Sequence, residues 1–126
     1  MPDAAIELLR VRTDPDGAGS ALESMLWQLD PSVVPQRSAS IDIEDAHFRR
    51  VPERSLGPHR APRRQLVVIL AGNLEITSSD GSKAVLGPGA VLLADDTEGI
   101  GHSVSSAGAD LLVLPLLPSA GKSPAI

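Results

Sequence analysis

The sequence predicts an all-β protein built as a double-sheet jelly roll or a small barrel. Short runs of β-forming residues recur at intervals of about ten residues, and turns rich in Gly and Pro separate them. The chain has 126 residues, of which 42% are hydrophobic and 21% charged. This length and composition suit one folded core and not two. We therefore expect a single domain over residues 1–126.

The first half of the chain alternates strands with irregular connections. Residues 4–12 form the first predicted strand, and turn residues precede residues 21–30, which fit either a helical stripe or one face of a strand. Two prolines in 31–40 predict an irregular connection. Alternation over 40–51 predicts a strand pair or one bent strand, and residues 52–58 then interrupt the pattern.

The second half contains more regular strands. Alternation in a strand places His59, Ala61, Arg63 and Gln65 on one face of a long extended run that ends at Gly72. The Asp-Gly pair at 80–81 is a strong hairpin signal. Further strands are expected at 73–79, 83–86, 90–96, 102–104 and 109–117. Residues 119–126 have the composition of a loose tail.

Composition argues against several functional classes. With one Phe, one Trp and no Tyr, the core must consist of Leu, Val, Ile and Ala. A formal net charge of −5 argues against a nucleic-acid or anionic-membrane surface, and the absence of Cys excludes thiolate metal sites. Because there is no charged-then-apolar leader and no apolar run of about 18 residues, we expect a cytoplasmic protein.

Two stretches resemble the signature motifs of the cupin superfamily. The first cupin motif is His-x-His, three or four residues, Glu, six residues and Gly. Here the same spacing contains His59, Ala61, Gln65 and Gly72. The second motif ends in Pro-x-Gly, two residues and His, and this chain has Thr97, Gly99 and His102 at those positions, with Ser106 where Asn is common. The resemblance covers roughly residues 40–117.

The resemblance implies a cupin double-stranded β-helix and therefore favours a strand at 21–30. Cupins usually bind a divalent metal through three His and one Glu. The matching positions here are His59, Gln65 and His102, with Ala61 at the fourth. A set without a carboxylate implies weak or absent binding of Zn, Fe, Mn or Ni. His47 would supply a third imidazole if its strand faces inward.

An arginine and an aspartate are further candidates for substrate binding and for acid–base catalysis. Arg63, on the face of Ala61 and Gln65, is expected to point into the barrel mouth and to bind a substrate carboxylate, unless Asp95, Asp96 or Glu98 neutralises it. Asp96 near a histidine would act as a general acid or base, although acidic residues at a strand end often cap backbone N–H groups instead.

These residues leave different function classes open. One is an isomerase, cyclase or lyase that transfers protons on a small oxygenated or carboxylate metabolite, with His59, His102 and Asp96 catalytic and Arg63 and Gln65 binding substrate. Another is a module that binds a small ligand without catalysis, and a third is a metal-dependent dioxygenase or isomerase. We also expect a homodimer, because the Leu- and Val-rich outer faces of the strands need cover.

Overall fold

Ten β-strands form two sheets in the computed structural model, which describes residues 4–118. No helix occurs within this part of the chain, so the all-β prediction is confirmed. The strands are β1 (Ala5–Thr13), β2 (Ser20–Gln28), β3 (His47–Val51), β4 (Arg54–His59), β5 (Gln65–Gly72), β6 (Leu74–Ser78), β7 (Lys83–Leu86), β8 (Val91–Asp95), β9 (His102–Ser106) and β10 (Ala109–Pro115).

The two sheets differ in size, and the consecutive strands β3 and β4 lie in different sheets. The six-stranded sheet has the order β2-β1-β8-β5-β10-β3, and the four-stranded sheet has the order β4-β9-β6-β7. Within each sheet neighbouring strands are antiparallel, except that β1 and β8 are parallel. Pro52 and Glu53 connect β3 to β4, so the chain crosses from one sheet to the other there.

The main core lies between the sheets and is aliphatic, as the composition predicted. Alternate residues of β5, β8 and β10 face inward and pack against residues of β6 and β7 from the smaller sheet. Its buried members are Val11, Ala61, Val67, Ile69, Leu74, Ile76, Leu86, Leu92, Ala94, Ala109, Leu111 and Val113. This layer of small aliphatic side chains holds the sheets apart and forms the walls of the cavity described below.

A second apolar cluster lies on the outer face of the six-stranded sheet. Its buried members are Leu8, Met25, Leu66, Leu93 and Leu116, and Trp27 packs against them. The connection after β2 runs beside the end of β10, because Glu44 N donates to Pro115 O and Leu117 N donates to Asp42 O. These side chains are buried within one chain, so they do not themselves require a second copy. The homodimer remains a prediction.

The structure corrects the predicted course of residues 40–64. A strand begins only at His47, whereas Ile43 forms an isolated bridge with Leu116. Residues 54–58, expected as a break, are part of β4, which tolerates Pro58 because β4 is an edge strand. The run from 59 to 72 is two strands in different sheets, since residues 60–64 form no strand. Strand β2 confirms the strand prediction for residues 21–30.

The expected loose tail at 119–126 lies outside the described residues. Within the described part of the chain, no helix has the length and apolar character needed to cross a membrane.

Leu93 provides a test of the outer cluster. Its side chain has no exposed surface, so Leu93→Ala is expected to lower the free energy of unfolding by about 2–5 kcal/mol. Leu26, on edge strand β2 of the same sheet, is 47% exposed, and Leu26→Ala should stay within about 0.5 kcal/mol of wild type. Urea unfolding followed by Trp27 fluorescence measures both. Equal losses for the two variants would contradict the packing of this face.

Candidate functional site

A cavity of about 360 Å³ opens between the two sheets. Its volume falls within the range of small-molecule sites. The apolar part of its wall comes from Val51, Leu56, Ala61, Val67, Leu74, Ile76, Leu92, Ala94, Val104 and Leu111 and from two prolines. The polar part consists of Arg49, Arg50, Arg54, His59, Gln65 and His102. The wall therefore contains basic and neutral polar groups and no acidic residue.

Two histidines meet at one end of this cavity. His59 is the last residue of β4 and His102 is the first residue of β9, and the two are partners in the antiparallel pairing of these strands. Their ring centroids lie 4.7 Å apart, with an angle of 54° between the ring planes. The pairing of β4 with β9 thus brings together histidines separated by more than forty positions in the sequence.

Gly101 makes this approach possible. Its φ is +77°, a conformation that side chains rarely adopt, and a Cβ on it would overlap the carbonyl oxygen of His59. The buried hydroxyl of Ser20 donates a 2.6 Å hydrogen bond to the Gly101 carbonyl and anchors the start of β9. The glycine corner before His102 is therefore required for the close contact between β9 and the end of β4.

Asp96 lies directly behind His102. Its carboxylate has no exposed surface, and Oδ2 forms a short hydrogen bond with His102 Nδ1, whose ring is 6% exposed. The Asp96 carbonyl accepts a 3.1 Å bond from Ala61 N, which joins the end of β8 to the segment after β4. The other carboxylate oxygen, Oδ1, has no partner among residues 4–118. His102 is therefore the main group that compensates this buried carboxylate.

Each histidine has one ring nitrogen bound to the protein. An ionised Asp96 can only accept a hydrogen bond, so it keeps the proton of His102 on Nδ1. His59 Nδ1 lies 3.1 Å from the carbonyl oxygen of Gly57, which also accepts only. In the neutral form of each ring, Nε2 is therefore the nitrogen with a free lone pair. Two such nitrogens beside a cavity are suited to accepting and returning protons.

The first motif contributes two more residues to the wall. Gln65 is buried at the start of β5, and Ala61 precedes it in the connection from β4. Both line the same cavity as His59 and His102, so the structure brings together the four positions that the sequence analysis matched to cupin ligands. Ser106, by contrast, has a structural role, since its hydroxyl donates to Asn73 O and accepts from Gly108 N.

Arg63 does not point into the cavity, contrary to the prediction. Its guanidinium lies 3.0 Å from Glu44 Oε1 and 3.7 Å from Asp45 Oδ2, at the surface of the protein. The predicted orientation failed because residues 60–64 are not a strand, so side-chain alternation does not carry from His59 to Arg63. None of the three acidic residues expected as its partner contacts it.

Asp95 and His47 also lie away from the cavity. Asp95 pairs with Arg10 at 2.6 Å and with Arg64 at 3.1 Å. His47 is exposed, and its ring contacts the Asp45 carbonyl and the guanidinium of Arg49, each at 2.9 Å. It therefore does not join the other two imidazoles as a third ligand.

Three arginines that the sequence analysis did not select line the cavity. Arg49 and Val51 share the inward face of β3, opposite Leu111 and Ala109 of β10. Arg54 and Leu56 share the inward face of β4, where Leu56 pairs with Val104. The sequence carried a signal for the first of these: in HFRRV, Arg49 and Val51 alternate with Phe48 and Arg50.

The donor set does not fit a tightly held metal ion. Among residues 4–118, no group of three or more His, Cys, Asp or Glu side chains is arranged to bind a metal. An ion at His59 and His102 would gain only the neutral amide of Gln65 as a third donor, with arginines in the same wall. Because no carboxylate would compensate its charge, we derive no chemical step through a metal.

A second depression of about 420 Å³ lies at the surface, where Gly72 at the end of β5 meets Gly108 before β10. Its charged residues are Arg50 and Asp110, which neutralise each other, and it contains no histidine. Although this depression is the larger, His59, Gln65 and His102 line the cavity between the sheets.

Comparisons with known proteins find matches among solved structures only. No protein-family model matches the chain, and no curated protein matches it. Among solved structures, the conserved protein SPY1581 of unknown function from Streptococcus pyogenes is 22% identical, with a TM-score of 0.45, over 67% of this chain and 72% of that chain. The Cnp3 cupin domain from Schizosaccharomyces pombe is 10% identical, with a TM-score of 0.42, over 92% of this chain and 86% of that chain.

The class of protein is defined by the coordinates themselves. The described chain is all-β, with two sheets enclosing a cavity whose wall carries the residues at the motif positions. It is a double-sheet β-domain with its cavity between the sheets.

The ion pair of Arg50 and Asp110 gives a test of the charges at the cavity wall. Hydrogen bonds from Arg50 lower the pKa of Asp110 below its ordinary value of 3.8. Arg50→Gln should therefore raise this pKa, measured by carbon NMR of the side-chain carboxyl. In wild type the pair stabilises the fold above about pH 4, and this contribution is lost as the pH falls through the lowered pKa of Asp110.

The matched control for this titration is Arg49→Gln, because Arg49 lies one residue away on the opposite face of β3. It should leave the pKa of Asp110 unchanged. An Asp110 pKa that responds equally to both substitutions would show that general charge, and not the Arg50 hydrogen bonds, sets it.

Proposed function

We propose that this protein is an enzyme that transfers protons on a small oxygenated or carboxylate metabolite bound between the sheets, giving isomerisation, cyclisation or elimination. The observation that carries the proposal is the buried hydrogen bond that His102 Nδ1 donates to Asp96, beside a cavity whose wall contains His102 and His59. A buried carboxylate that orients an imidazole beside a small-molecule cavity is a recurrent arrangement for general acid–base catalysis.

In the proposed step, His102 Nε2 takes a proton from the carbon next to a substrate carbonyl. The C–H electron pair then forms an enolate, and the Gln65 amide donates a hydrogen bond to its oxygen. The proton returns to a different atom, either from His102 or through His59, so both rings end as they began. The net change is isomerisation, and no oxidant or reductant is consumed. In ring closure the enolate carbon instead attacks a second carbonyl carbon of the same molecule, the π electrons of that carbonyl move to its oxygen, and this oxygen takes the proton from the histidine. In an elimination the proton goes instead to the departing group, which leaves with its bonding electron pair.

Asp96 acts through His102 and is a positioning residue. It holds the Nδ1 proton, and its negative charge stabilises the imidazolium that forms when Nε2 accepts a proton. The apolar remainder of the wall supports this role, because electrostatic interactions are stronger where water is excluded.

A non-catalytic binding module is the alternative that the cavity also supports. Most of the wall is apolar and preformed, which is sufficient for holding a ligand without changing it. The two classes differ in whether a bound molecule is converted and in whether the two imidazoles matter for more than affinity.

Two conservative variants test the catalytic proposal. A thermal-shift screen of metabolites first identifies a stabilising ligand, and its conversion is then followed by NMR. His102→Asn retains an amide donor near Nδ1 for Asp96 but lacks Nε2, and Asp96→Asn leaves the ring in place but loses its charged acceptor. Each is expected to lower kcat by about 10²–10⁴. His102→Asn removes the general base, and Asp96→Asn allows the wrong tautomer of the His102 ring.

The control for both variants is His47→Asn, which changes an exposed histidine outside the cavity and should retain full turnover. A ligand that stabilises wild type and His102→Asn equally, and is returned unchanged after long incubation with wild type, would establish the binding module instead. Turnover at the wild-type rate in both His102→Asn and Asp96→Asn would also refute the proposal.

We further propose that divalent ions bind this site only weakly. Titration with Zn²⁺, Fe²⁺, Mn²⁺ or Ni²⁺ by calorimetry should show low affinity that disappears in the double variant His59→Ala, His102→Ala. The reason is the lack of an acidic ligand at the site. One tightly held ion per purified chain would contradict this expectation and would favour a metal-dependent dioxygenase or isomerase.

A further inference from the structure

The charges in the cavity wall oppose the charge of the whole chain. The protein has a formal net charge of −5, yet the wall includes three arginines and no Asp or Glu. All three arginines are exposed to solvent, so their guanidinium groups are open to an incoming ligand, and guanidinium groups bind carboxylates and phosphates through paired hydrogen bonds. The wall therefore has the electrostatic character of a site for an anion.

Two of the three arginines have no acidic partner among residues 4–118. Arg50 is neutralised by Asp110, through bonds of 2.7 and 3.1 Å. Arg49 contacts only the neutral ring of His47, whose Nε2 accepts from it because Nδ1 donates to the Asp45 carbonyl. Arg54 has no ion pair or side-chain hydrogen bond among the residues that the structure describes. Arg49 and Arg54 are thus available to a ligand.

Arg54 lies far from His59 along β4. These are the first and last residues of the strand, which separates their Cα atoms by roughly 16 Å in an extended conformation. Arg49 and Arg54 lie on the two sides of the short connection Pro52–Glu53 between the sheets, and both line the cavity. Apolar residues such as Val67 and Leu92 line the cavity as well.

We infer that the ligand is a small amphiphile whose oxyanion, a carboxylate or a phosphate, is bound by Arg49 and Arg54 while its apolar body lies along the aliphatic wall. This inference rests on the proposed function in that it names the substrate class for the same cavity, and it places the reacting carbon of that substrate at His59 and His102. The cavity volume of about 360 Å³ equals the share of about twelve waters. A ligand of about ten non-hydrogen atoms therefore fits.

Octanoate, octyl phosphate and octan-1-ol are suitable probes, because they share one apolar chain and differ in the head group. Binding is measured by calorimetry and by amide chemical shifts at two salt concentrations. We expect at least one of the two anions to bind wild type at least tenfold more tightly than the alcohol, and this preference should fall at higher salt. A tenfold difference between octanoate and octyl phosphate identifies which oxyanion the arginines prefer.

The variants Arg49→Gln and Arg54→Gln should each weaken binding of the preferred anion by about tenfold to a hundredfold and leave the alcohol unchanged, since each removes charge-assisted hydrogen bonds. Arg60→Gln is the control, because Arg60 is exposed and does not line the cavity. Equal binding of anions and alcohol, no binding of any probe, or equal effects of all three substitutions would overturn the inference.

Failure of this inference is distinguishable from failure of the proposed catalysis. His102→Asn should change the affinity for the preferred anion by less than tenfold, because the ring contacts the reacting end of the ligand and not its anionic group. Anion binding that is lost in His102→Asn but kept in both arginine variants would refute the arginine site. Anion binding that depends on the arginines, without conversion of any ligand, would refute only the catalysis.

Discussion

The pairing of the buried Asp96 carboxylate with His102 is the interaction on which the rest of the site depends. A carboxylate without exposed surface is strongly destabilising unless a donor compensates it, and His102 supplies that donor from the neighbouring sheet. Asp96 follows β8 in the six-stranded sheet, whereas His102 begins β9 in the four-stranded one. The same bond therefore joins the two sheets and orients the imidazole toward the cavity.

Several hydrogen bonds and backbone conformations hold Asp96 and His102 in position. Gly101 adopts a positive φ that lets the start of β9 approach the backbone of His59, and Ser20 fixes the Gly101 carbonyl from β2. The bond from Ala61 N to the Asp96 carbonyl holds the segment after β4 against the end of β8. Local turn chemistry and long-range pairing thus act together, and the chemistry of the site is built on rigid strands rather than on a free loop.

The cavity combines three environments that suit a bifunctional ligand. The histidines and Gln65 supply imidazole and amide groups, the aliphatic core supplies an apolar wall, and the arginines of β3 and β4 supply positive charge. The outward-facing residues of the six-stranded sheet form a separate cluster around Leu66 and Leu93. Because inward and outward side chains alternate along each strand, one sheet can stabilise the fold on one face and bind a ligand on the other.

The sequence alone determined the all-β class, the aliphatic core and the motif positions His59, Ala61, Gln65 and His102, because strand periodicity and motif spacing are local properties of the chain. It also named Asp96 as a candidate without deciding between catalysis and capping. Only the tertiary structure separated Asp96 from Asp95, excluded Arg63 from the cavity and brought Arg49 and Arg54 into it. Those outcomes depend on the irregular segment 60–64 and on the connection from β3 to β4, which crosses between the sheets, because alternation does not fix the direction of a side chain across either segment.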